Sequence, residues 1–375
     1  MPRKQCDLVM KGGITSGIVY PRAVCELAKE FTFANIGGTS AGAIAAALTA
    51  AAEYRRFHGS DAGFAALEEL PEWLARDANL LRLFEPSEET APLYDVAVRW
   101  LQTGSIAATL RALVARFNRF GGAVAALAAV VAVALLLRPS WIGMLALAIV
   151  LAAGAIGFVA ASVLEALLHA SRVLPRNGFG LCSGSGALTQ WLDDRIRSVA
   201  GVDRPLTFGE LTAAGVNLEM MTTNLTHGRP YRLPFSSNEF YFDEAELRRL
   251  FPKDVVDFTI ARSQPQRGKY LLPRAEDLPV IVAARMSLSF PLLLSAIPLH
   301  AIDYGRRDGE RAPERCWFSD GGISSNFPVH FFDAPLPRRP TFAINLAERT
   351  PRYHAPGQRV YAPRTNRSGL QEWWR

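Results

Sequence analysis

The chain has 375 residues, of which 49% are hydrophobic, and a formal net charge of +6. This length suits one large domain or two smaller ones, and so high a hydrophobic share points to a part embedded in a membrane. The basic residues form no block long enough for a nucleic-acid partner, and an anionic membrane surface better explains the mild excess of arginine.

The N-terminal elements follow an α/β order. A strand is predicted at residues 5–10, a glycine-rich loop at 11–17, a helix at 21–31, a second strand at 31–36 and an alanine-rich helix at 41–57. Strand, loop, helix, strand, turn and helix in this order imply an α/β sheet with catalytic loops at the strand ends.

The turn after the second strand carries a G-x-S-x-G pattern, with Gly38 and Gly42 on either side of Ser40. This pattern between a strand and a helix is typical of a nucleophile elbow, a tight turn that exposes a serine hydroxyl for acyl transfer. In a chain rich in glycine and alanine, the pentapeptide alone also fits an ordinary strand–turn–helix junction. Other parts of the sequence are therefore needed to decide whether Ser40 is a nucleophile.

The glycine-rich loop can supply the donors that an oxyanion needs. Gly12, Gly13 and Ile14 follow the first strand, and Gly17 closes the loop. Backbone N–H groups there can approach a developing negative charge closely. A nucleotide loop or a simple tight turn is the alternative, but the spacing matches neither G-x-G-x-x-G nor the P-loop, so nucleotide binding is the weaker interpretation.

Two uncharged apolar runs, residues 121–137 and 141–164, stand on either side of Arg138-Pro139-Ser140. About 20 residues of helix span the hydrocarbon core of a bilayer, so the pair predicts a helical hairpin that enters the membrane and returns. A pair of buried core helices is the alternative. It is disfavoured because neither run has a polar face and both would have to be buried in one domain of this size.

Basic residues lie outside the two ends of this hairpin. Arg111, Arg116 and Arg119 precede it, and Arg172 and Arg176 follow it. The positive-inside rule then places both ends, and with them the α/β domain, in the cytoplasm. Residues 106–120 combine apolar positions at helical spacing with arginine, which fits either a helix lying on the membrane surface or a plain helical stem.

The soluble pattern resumes after the hairpin. Helices are predicted at 188–199 and 244–251, and strands at 218–223, 279–283 and 341–344. We therefore divide the chain into a first part of the catalytic domain (1–105), a membrane insertion (106–176), a second part of the catalytic domain (177–345) and a tail (346–375). The last residues of the tail are typical of the start of a helix, so Arg375 need not be the natural C-terminus.

A base for Ser40 is harder to identify from residue types alone. None of the six histidines lies in a motif, although His330 or His354 would complete the chain order Ser…Asp…His. Asp320 follows an apolar strand and begins an Asp-Gly-Gly turn with Gly321 and Gly322, so its carboxylate can be presented at a strand end. Asp-Gly also serves very often as a plain turn.

Together, three ordered segments resemble the patatin-like phospholipases, lipid acyl hydrolases that use a Ser-Asp dyad without a histidine. The segments are the glycine-rich loop after strand one, G-x-S-x-G at 38–42, and Asp-Gly-Gly at 320–322. Supporting matches are Ala283 to Ser287, Phe290-Pro291 and Asn326-Phe327-Pro328. The resemblance covers residues 5 to about 60 and 180 to about 345, so the apolar hairpin is an insertion.

The resemblance implies a three-layer α/β/α sandwich in which Ser40 is the nucleophile and Asp320 the base, with the amides of Gly12, Gly13 and Ile14 as the oxyanion hole. One departure concerns this loop. The family usually has a third consecutive glycine where Ile14 stands and a basic residue where Ser16 stands. A backbone hole survives these changes, whereas any contribution of the basic side chain to anion binding does not.

The sequence thus predicts a membrane-anchored serine lipid acyl hydrolase of the phospholipase A or lysophospholipase type, acting on membrane phospholipid or another acyl lipid. We expect a multi-pass protein of the bacterial inner membrane, in contact with the bilayer through residues 121–164. No cofactor and no metal are predicted, because the sequence has neither a calcium loop nor a cluster of metal ligands. An acyltransferase or thioesterase with the same dyad, or an inactive membrane-anchored interaction protein, remains an alternative.

Overall fold

The computed structural model describes residues 3–13, 16–137, 140–183, 187–303 and 312–345. Within these ranges the strands are β1 Lys4–Met10, β2 Phe31–Gly38, β3 Gly180–Cys182, β4 Asn217–Asn224, β5 Arg229–Leu233, β6 Phe240–Phe242, β7 Gln264–Gln266, β8 Lys269–Leu271, β9 Leu292–Leu294, β10 Ile297–Ile302, β11 Pro313–Asp320 and β12 Thr341–Ile344.

The helices in the described part of the chain are α1 Ser16–Ala28, α2 Ala41–Phe57, α3 Ala62–Ala75, α4 Asn79–Arg82, α5 Ala91–Thr103, α6 Ile106–Arg116, α7 Arg119–Leu136, α8 Trp141–Arg176, α9 Leu188–Ala200, α10 Phe208–Ala213, α11 Glu244–Arg248, α12 Lys253–Ile260 and α13 Val280–Ser287. Short 3-10 turns occupy Arg76–Ala78, Ala275–Asp277, Gly321–Ile323 and Val329–Phe331.

The centre of the fold is a mixed sheet in the order β12-β1-β2-β4-β11-β10-β6-β8-β7, with β5 paired to β4. The first four strands of this order are parallel, and the pairings from β4 onwards are antiparallel. A separate pair, β3 and β9, is parallel. Helices pack against the mixed sheet, so the predicted α/β class is confirmed.

The alanine-rich helix α2 lies at the centre of the core. Its residues from Ala41 to Glu53 are buried almost without exception. It packs against β2, α3 and α9. Alanine at most of these positions lets neighbouring elements approach a central helix closely, which is how one long helix can be covered on several sides.

The strands β1 and β2, the helix α2 and most of the later helices and strands lie where the sequence predicts them. α1 begins at Ser16 rather than at residue 21, so Gly17 lies in its first turn and Pro21 inside it. The predicted strand at 279–283 is wrong, because these residues begin the helix α13. All of α13 is buried, and an apolar run without a polar face has no periodicity that separates a helix from a strand.

The two apolar runs form a pair of antiparallel helices, α7 and α8, joined across Arg138 and Pro139, which lie outside the described residues. Small residues lie at their interface: Gly154 faces Ala128, and Gly157 faces Val124. The outer surface is apolar and exposed, with Leu127 at 67% and Trp141 at 79%. In the most apolar 18-residue window of α7, 11% of the residues are buried. In the corresponding window of α8, none is buried.

α8 continues to Arg176, well beyond the predicted apolar run, and carries the chain back to the catalytic domain. α6 is capped by the Ser105 side chain, has no buried residue among the positions described, and packs beside α8. At the base of the pair, the Phe120 amide donates to Glu165 Oε2 at 3.1 Å. The two ends of the hairpin therefore meet where they leave the catalytic domain.

Candidate active site

Ser40 lies on the turn between β2 and α2, in a conformation that L residues rarely adopt. Its φ is 56° and its ψ is −131°, which costs of order 1–3 kcal/mol and persists only where the surroundings hold it. The predicted elbow is present, but the unusual dihedrals belong to the serine. The flanking glycines provide space instead: a Cβ on Gly38 would lie 2.2 Å from the Gly42 carbonyl oxygen, and one on Gly42 would lie 2.4 Å from that of Met10.

Sheet register places Asp320 at the level of Ser40. Gly38, at the end of β2, pairs with Met220 of β4, and Asp320, at the end of β11, pairs with Thr222 of the same strand. Ser40 is two residues beyond Gly38, and Thr222 is two residues beyond Met220. The two residues predicted as nucleophile and base therefore come together from segments almost 300 residues apart.

Asp320 is buried, with 2% of the residue exposed. Burial raises its pKa above the ordinary value, and hydrogen bonding from the Ser40 side chain and the Gly322 amide opposes this rise. The Gly322 N–H donates to Oδ1 at 2.6 Å. Among the described residues no donor completes a hydrogen bond to Oδ2, although the Ser40 side chain lies close enough to the carboxyl to lower its pKa. Catalytic hydrogen bonds often close only when substrate is bound.

The end of α13 supports both residues, a role that the sequence did not reveal. The Ser40 N–H donates to Ser287 Oγ at 3.2 Å, and the Asp320 N–H donates to the Ser289 carbonyl at 3.0 Å. Ser319 Oγ donates to the same carbonyl at 2.7 Å. Ser287 belongs to the segment matched to the family, but only the three-dimensional contacts show what it holds.

A buried arginine fixes this end of α13 in turn. Arg285 donates to Ser289 Oγ at 2.7 Å and to the Ser183 and Ser295 carbonyls at 2.8 and 3.2 Å. Burial lowers the pKa of Arg285 to about 10, so it is still charged at neutral pH. A buried charge satisfied by several acceptors restrains the geometry around it, because each lost partner would leave the charge uncompensated.

The glycine-rich loop runs directly against the nucleophile. A Cβ on Gly12 would lie 2.2 Å from Asn326 Oδ1 and 2.9 Å from the Ser40 Cβ. The Gly12 N–H donates to the Asn326 carbonyl at 2.8 Å. In this structure that amide is therefore engaged, and Gly12 contributes close approach instead of a free donor. Gly13 is adjacent, and Ile14 lies outside the described residues, so their donor role stays a prediction.

The Asp-Gly-Gly turn that carries Asp320 is as crowded as the turn that carries Ser40. A Cβ on Gly321 would lie 2.1 Å from the Met221 carbonyl oxygen and 2.4 Å from Thr39 Oγ1, and one on Gly322 would lie 2.7 Å from Asp320 Oδ1. Larger residues would push the Asp320 turn away from the elbow. Gly321 is thus required by the packing of the two turns against each other, and Gly322 leaves room for the Asp320 carboxyl.

Ser40 opens into an apolar pocket that the sequence did not predict. The pocket runs along α2 and is walled by α3, α9 and the segment around β9; its α2 lining is Ala41, Ile44, Ala45, Leu48 and Thr49. These positions extend over about 13 Å of helix. The pocket is partly open to solvent, and its surface is mostly apolar. A hydrocarbon chain with its carbonyl at Ser40 fits this shape and chemistry.

The histidines that the structure describes do not line this pocket. His58 and His169 bind backbone carbonyls, His227 and His300 bind other side chains, and His330, one of the two candidates for a triad, contacts Phe331. The other candidate, His354, lies outside the described residues. Within the described chain, Asp320 is thus the base candidate that the fold brings to Ser40.

Two comparisons bear on identity. The profile described as Patatin-like phospholipase matches residues 8–333. A relative from Rhizobium meliloti (strain 1021), described as "RpoH suppressor", is 38% identical over an alignment that covers 99% of this chain and 70% of that protein. The matched range spans the glycine-rich loop, the elbow, the hairpin and the Asp-Gly-Gly turn. The chain belongs to the patatin-like phospholipase family and is a lipid acyl hydrolase.

Proposed function

We propose that this protein is a membrane-anchored serine hydrolase that cleaves fatty-acyl esters of phospholipids through an acyl-enzyme on Ser40, with Asp320 as the base. The observation that carries the proposal is the position of Ser40. It lies on a strained elbow, at the level of a buried carboxyl, and at the mouth of an apolar pocket. This arrangement supports the proposal because acyl transfer needs a nucleophile, a base and a site for the acyl chain close together.

In the first half-reaction, Ser40 Oγ attacks the ester carbonyl carbon and its proton passes to the Asp320 carboxylate. Amides of the glycine-rich loop, with Gly13 and Ile14 as candidates, and the positive end of α2 would stabilise the oxyanion. The tetrahedral intermediate collapses, the C–O bond breaks, and the departing alcohol takes the proton from Asp320. The acyl group remains on Ser40 as an ester.

In the second half-reaction, water attacks the acyl-enzyme and gives its proton to Asp320. Collapse releases the fatty acid, and Ser40 recovers its proton. An aspartate is an inherently weak base for a hydroxyl, since its ordinary pKa is about 3.9. Burial raises the pKa of Asp320 and so makes it a stronger base than a solvated aspartate.

The surface of α7 and α8 supports membrane anchoring. A soluble protein buries its apolar helices, whereas the most apolar windows here contain almost no buried residues. The small residues between α7 and α8 are typical of helices that associate in a bilayer. Arginines beyond both ends favour a cytoplasmic catalytic domain, which in a bacterium means the inner membrane. Such an anchor would keep the pocket near its lipid substrate.

Hydrolysis of phospholipid vesicles tests this function. The full chain in vesicles should release free fatty acid, and Ser40→Ala should abolish release while the far-UV circular dichroism stays unchanged. Asp320→Ala should do the same. Full activity of Asp320→Ala would remove Asp320 from the mechanism and return the role of base to a histidine.

Product analysis with a competing alcohol separates hydrolysis from transfer. We expect free fatty acid to dominate, with little alkyl ester, because water is the acceptor in the proposed second step. Predominant ester would make the protein an acyltransferase instead. A folded sample with no turnover of any ester would contradict the enzymatic proposal and leave an anchored interaction protein.

A further inference from the structure

A second cleft lies at the foot of α8, away from Ser40. Its charged lining consists of Arg176, Arg249, Arg315 and Glu246, and we call it the basic cleft. The basic cleft is a concave surface that is widely open to solvent. The three arginines come from three different elements: the last residue of α8, the residue after α11, and β11.

The positive charge of the basic cleft is only partly compensated. Arg315 forms an ion pair with Glu246, whose other oxygen binds His300 Nε2 at 2.9 Å. The guanidinium groups of Arg176 and Arg249 have no hydrogen bond or ion pair with any other residue that the structure describes, although the backbone N–H of Arg249 donates to the Glu246 carbonyl. By contrast, the neighbouring Arg248 is held by Glu244 and Asp257. Two unpaired guanidinium groups therefore face one concave surface.

The floor of the basic cleft is well ordered by hydrogen bonds. Asn177 Nδ2 donates to the Gly180 carbonyl at 2.7 Å, and Ser295 Oγ donates to the Asn177 carbonyl at 2.6 Å. A Cβ on Gly178 would lie 2.9 Å from the Ala296 carbonyl oxygen. Exposed guanidinium groups around such a floor match the several oxygens of a phosphate, which they can bind bidentately.

The position along α8 favours a dissolved anion over a lipid headgroup. Arg176 follows the apolar run, which ends at residue 164, by about 12 residues of helix, or roughly 18 Å. The headgroup layer on one side of a bilayer is only about 5–8 Å thick. The preference for a dissolved anion rests on the membrane placement proposed above. The affinity of the arginines for an anion does not depend on that placement.

We propose that the basic cleft is a binding site for a soluble anion of the phosphate or phosphate-monoester class, bridging Arg176 of the hairpin to Arg249 and Arg315 of the catalytic domain. Such an anion would fasten the stem of the membrane anchor to the domain that carries Ser40. The site would bind ligand whether or not Ser40 is catalytic, so its test is independent of hydrolysis.

Calorimetric titration of inorganic phosphate tests the site, with the full chain in nanodiscs of phosphatidylcholine at about 0.15 M salt, where surface charges are screened. We expect one saturable site with Kd below about 1 mM. Arg176→Gln and Arg249→Gln should each weaken binding by about tenfold or more, because each removes a charge-assisted contact. Arg172→Gln, on the same helix but outside the cleft, should change Kd less than twofold.

Unchanged far-UV circular dichroism and an unchanged melting temperature in all three variants show that they are folded. Absence of saturable phosphate binding by the wild type, or equal affinity in Arg176→Gln and Arg172→Gln, would overturn the proposal. Nanodiscs containing phosphatidic acid, a lipid with a phosphate monoester, distinguish the source of the anion. We expect phosphatidic acid to leave the phosphate affinity of the wild type unchanged. If phosphatidic acid abolishes phosphate binding by the wild type and by Arg172→Gln, and has no effect on the weak binding by Arg176→Gln, the lipid headgroup is the ligand of the cleft instead.

Discussion

At the scale of single residues, the sequence identifies the chemical groups and the fold supplies what holds them. Ser40 and Asp320 could be predicted from two short motifs, because each motif encodes a turn that presents a side chain. Ser287, Ser289 and Arg285 could not be assigned roles, since their contacts depend on the register of distant strands. Gly12 was predicted as a donor, yet its amide is held by the Asn326 carbonyl.

Asp320→Asn separates charge from shape. Asparagine keeps the volume and can still accept from the Gly322 amide, but it cannot take a proton, so turnover should fall by about 10²–10⁴-fold. Because burial raises the pKa of Asp320 in the folded state, ionisation there is unfavourable. The amide should therefore leave the melting temperature unchanged or raise it. A lower melting temperature with intact turnover would contradict both points.

The raised pKa of Asp320 predicts how activity depends on pH. The base form of Asp320 is lost as pH falls, and it is lost at a higher pH than for a solvated aspartate because burial raises this pKa. The acid limb of kcat/KM for a soluble ester should thus lie above the ordinary value of about 4. A limb at or below that value would indicate that Asp320 is not the titrating base.

Gly12→Ala tests close approach in the loop. Its Cβ would overlap Asn326 Oδ1 and press on the Ser40 Cβ, which should displace the nucleophile and reduce kcat by about 10²-fold. Gly122→Ala is the matched control, because a Cβ there meets nothing within 4 Å. Equal activity of the two variants would show that the loop does not constrain Ser40.

At the scale of elements, most strands and helices follow from local pattern, and the exceptions have a common cause. Residues 279–283, which include the start of α13, were predicted as a strand because they are all apolar, and complete burial removes the periodicity that identifies a helix. The acyl pocket was not foreseen either. It is formed where α2, α3 and α9 meet, and no single segment encodes it.

The face of α2 in the pocket should set acyl-chain length. Ala45 lines the pocket between Ser40 and Leu48, so Ala45→Leu places three further carbons in the path of the chain. We expect kcat/KM for long-chain p-nitrophenyl esters to fall by at least about tenfold, the order of effect of one or two methylenes in an apolar pocket. Short-chain esters, measured on the same variant, should be hydrolysed normally. Parallel losses for both would place the acyl chain elsewhere.

At the scale of the whole molecule, the chain combines a catalytic α/β domain with an apolar hairpin inserted between its two catalytic motifs. The hairpin could be predicted from length and absence of charge, and its exposed surface agrees with that prediction without a bilayer being present. Its stem was less predictable. α8 extends to Arg176 because the residues after the apolar run continue as an amphipathic helix.

Deletion of residues 121–164 tests the anchor. The deletion joins residues 120 and 165, which already contact each other, so the catalytic domain should stay folded. Activity on vesicles should fall by about 10²-fold or more, since tethering supplies a high effective substrate concentration. Activity on a short soluble ester should be retained. Equal loss on both substrates would give the hairpin a structural role in the catalytic domain.

The central claim is that Ser40 is the nucleophile, and covalent labelling tests it most directly. The full chain, reacted with a fluorophosphonate and digested, should yield a single modified peptide in mass spectrometry, with the phosphonyl group on Ser40. Ser40→Ala should remain unlabelled under the same conditions. Label on another residue, or a folded wild-type protein that resists labelling, would contradict the account.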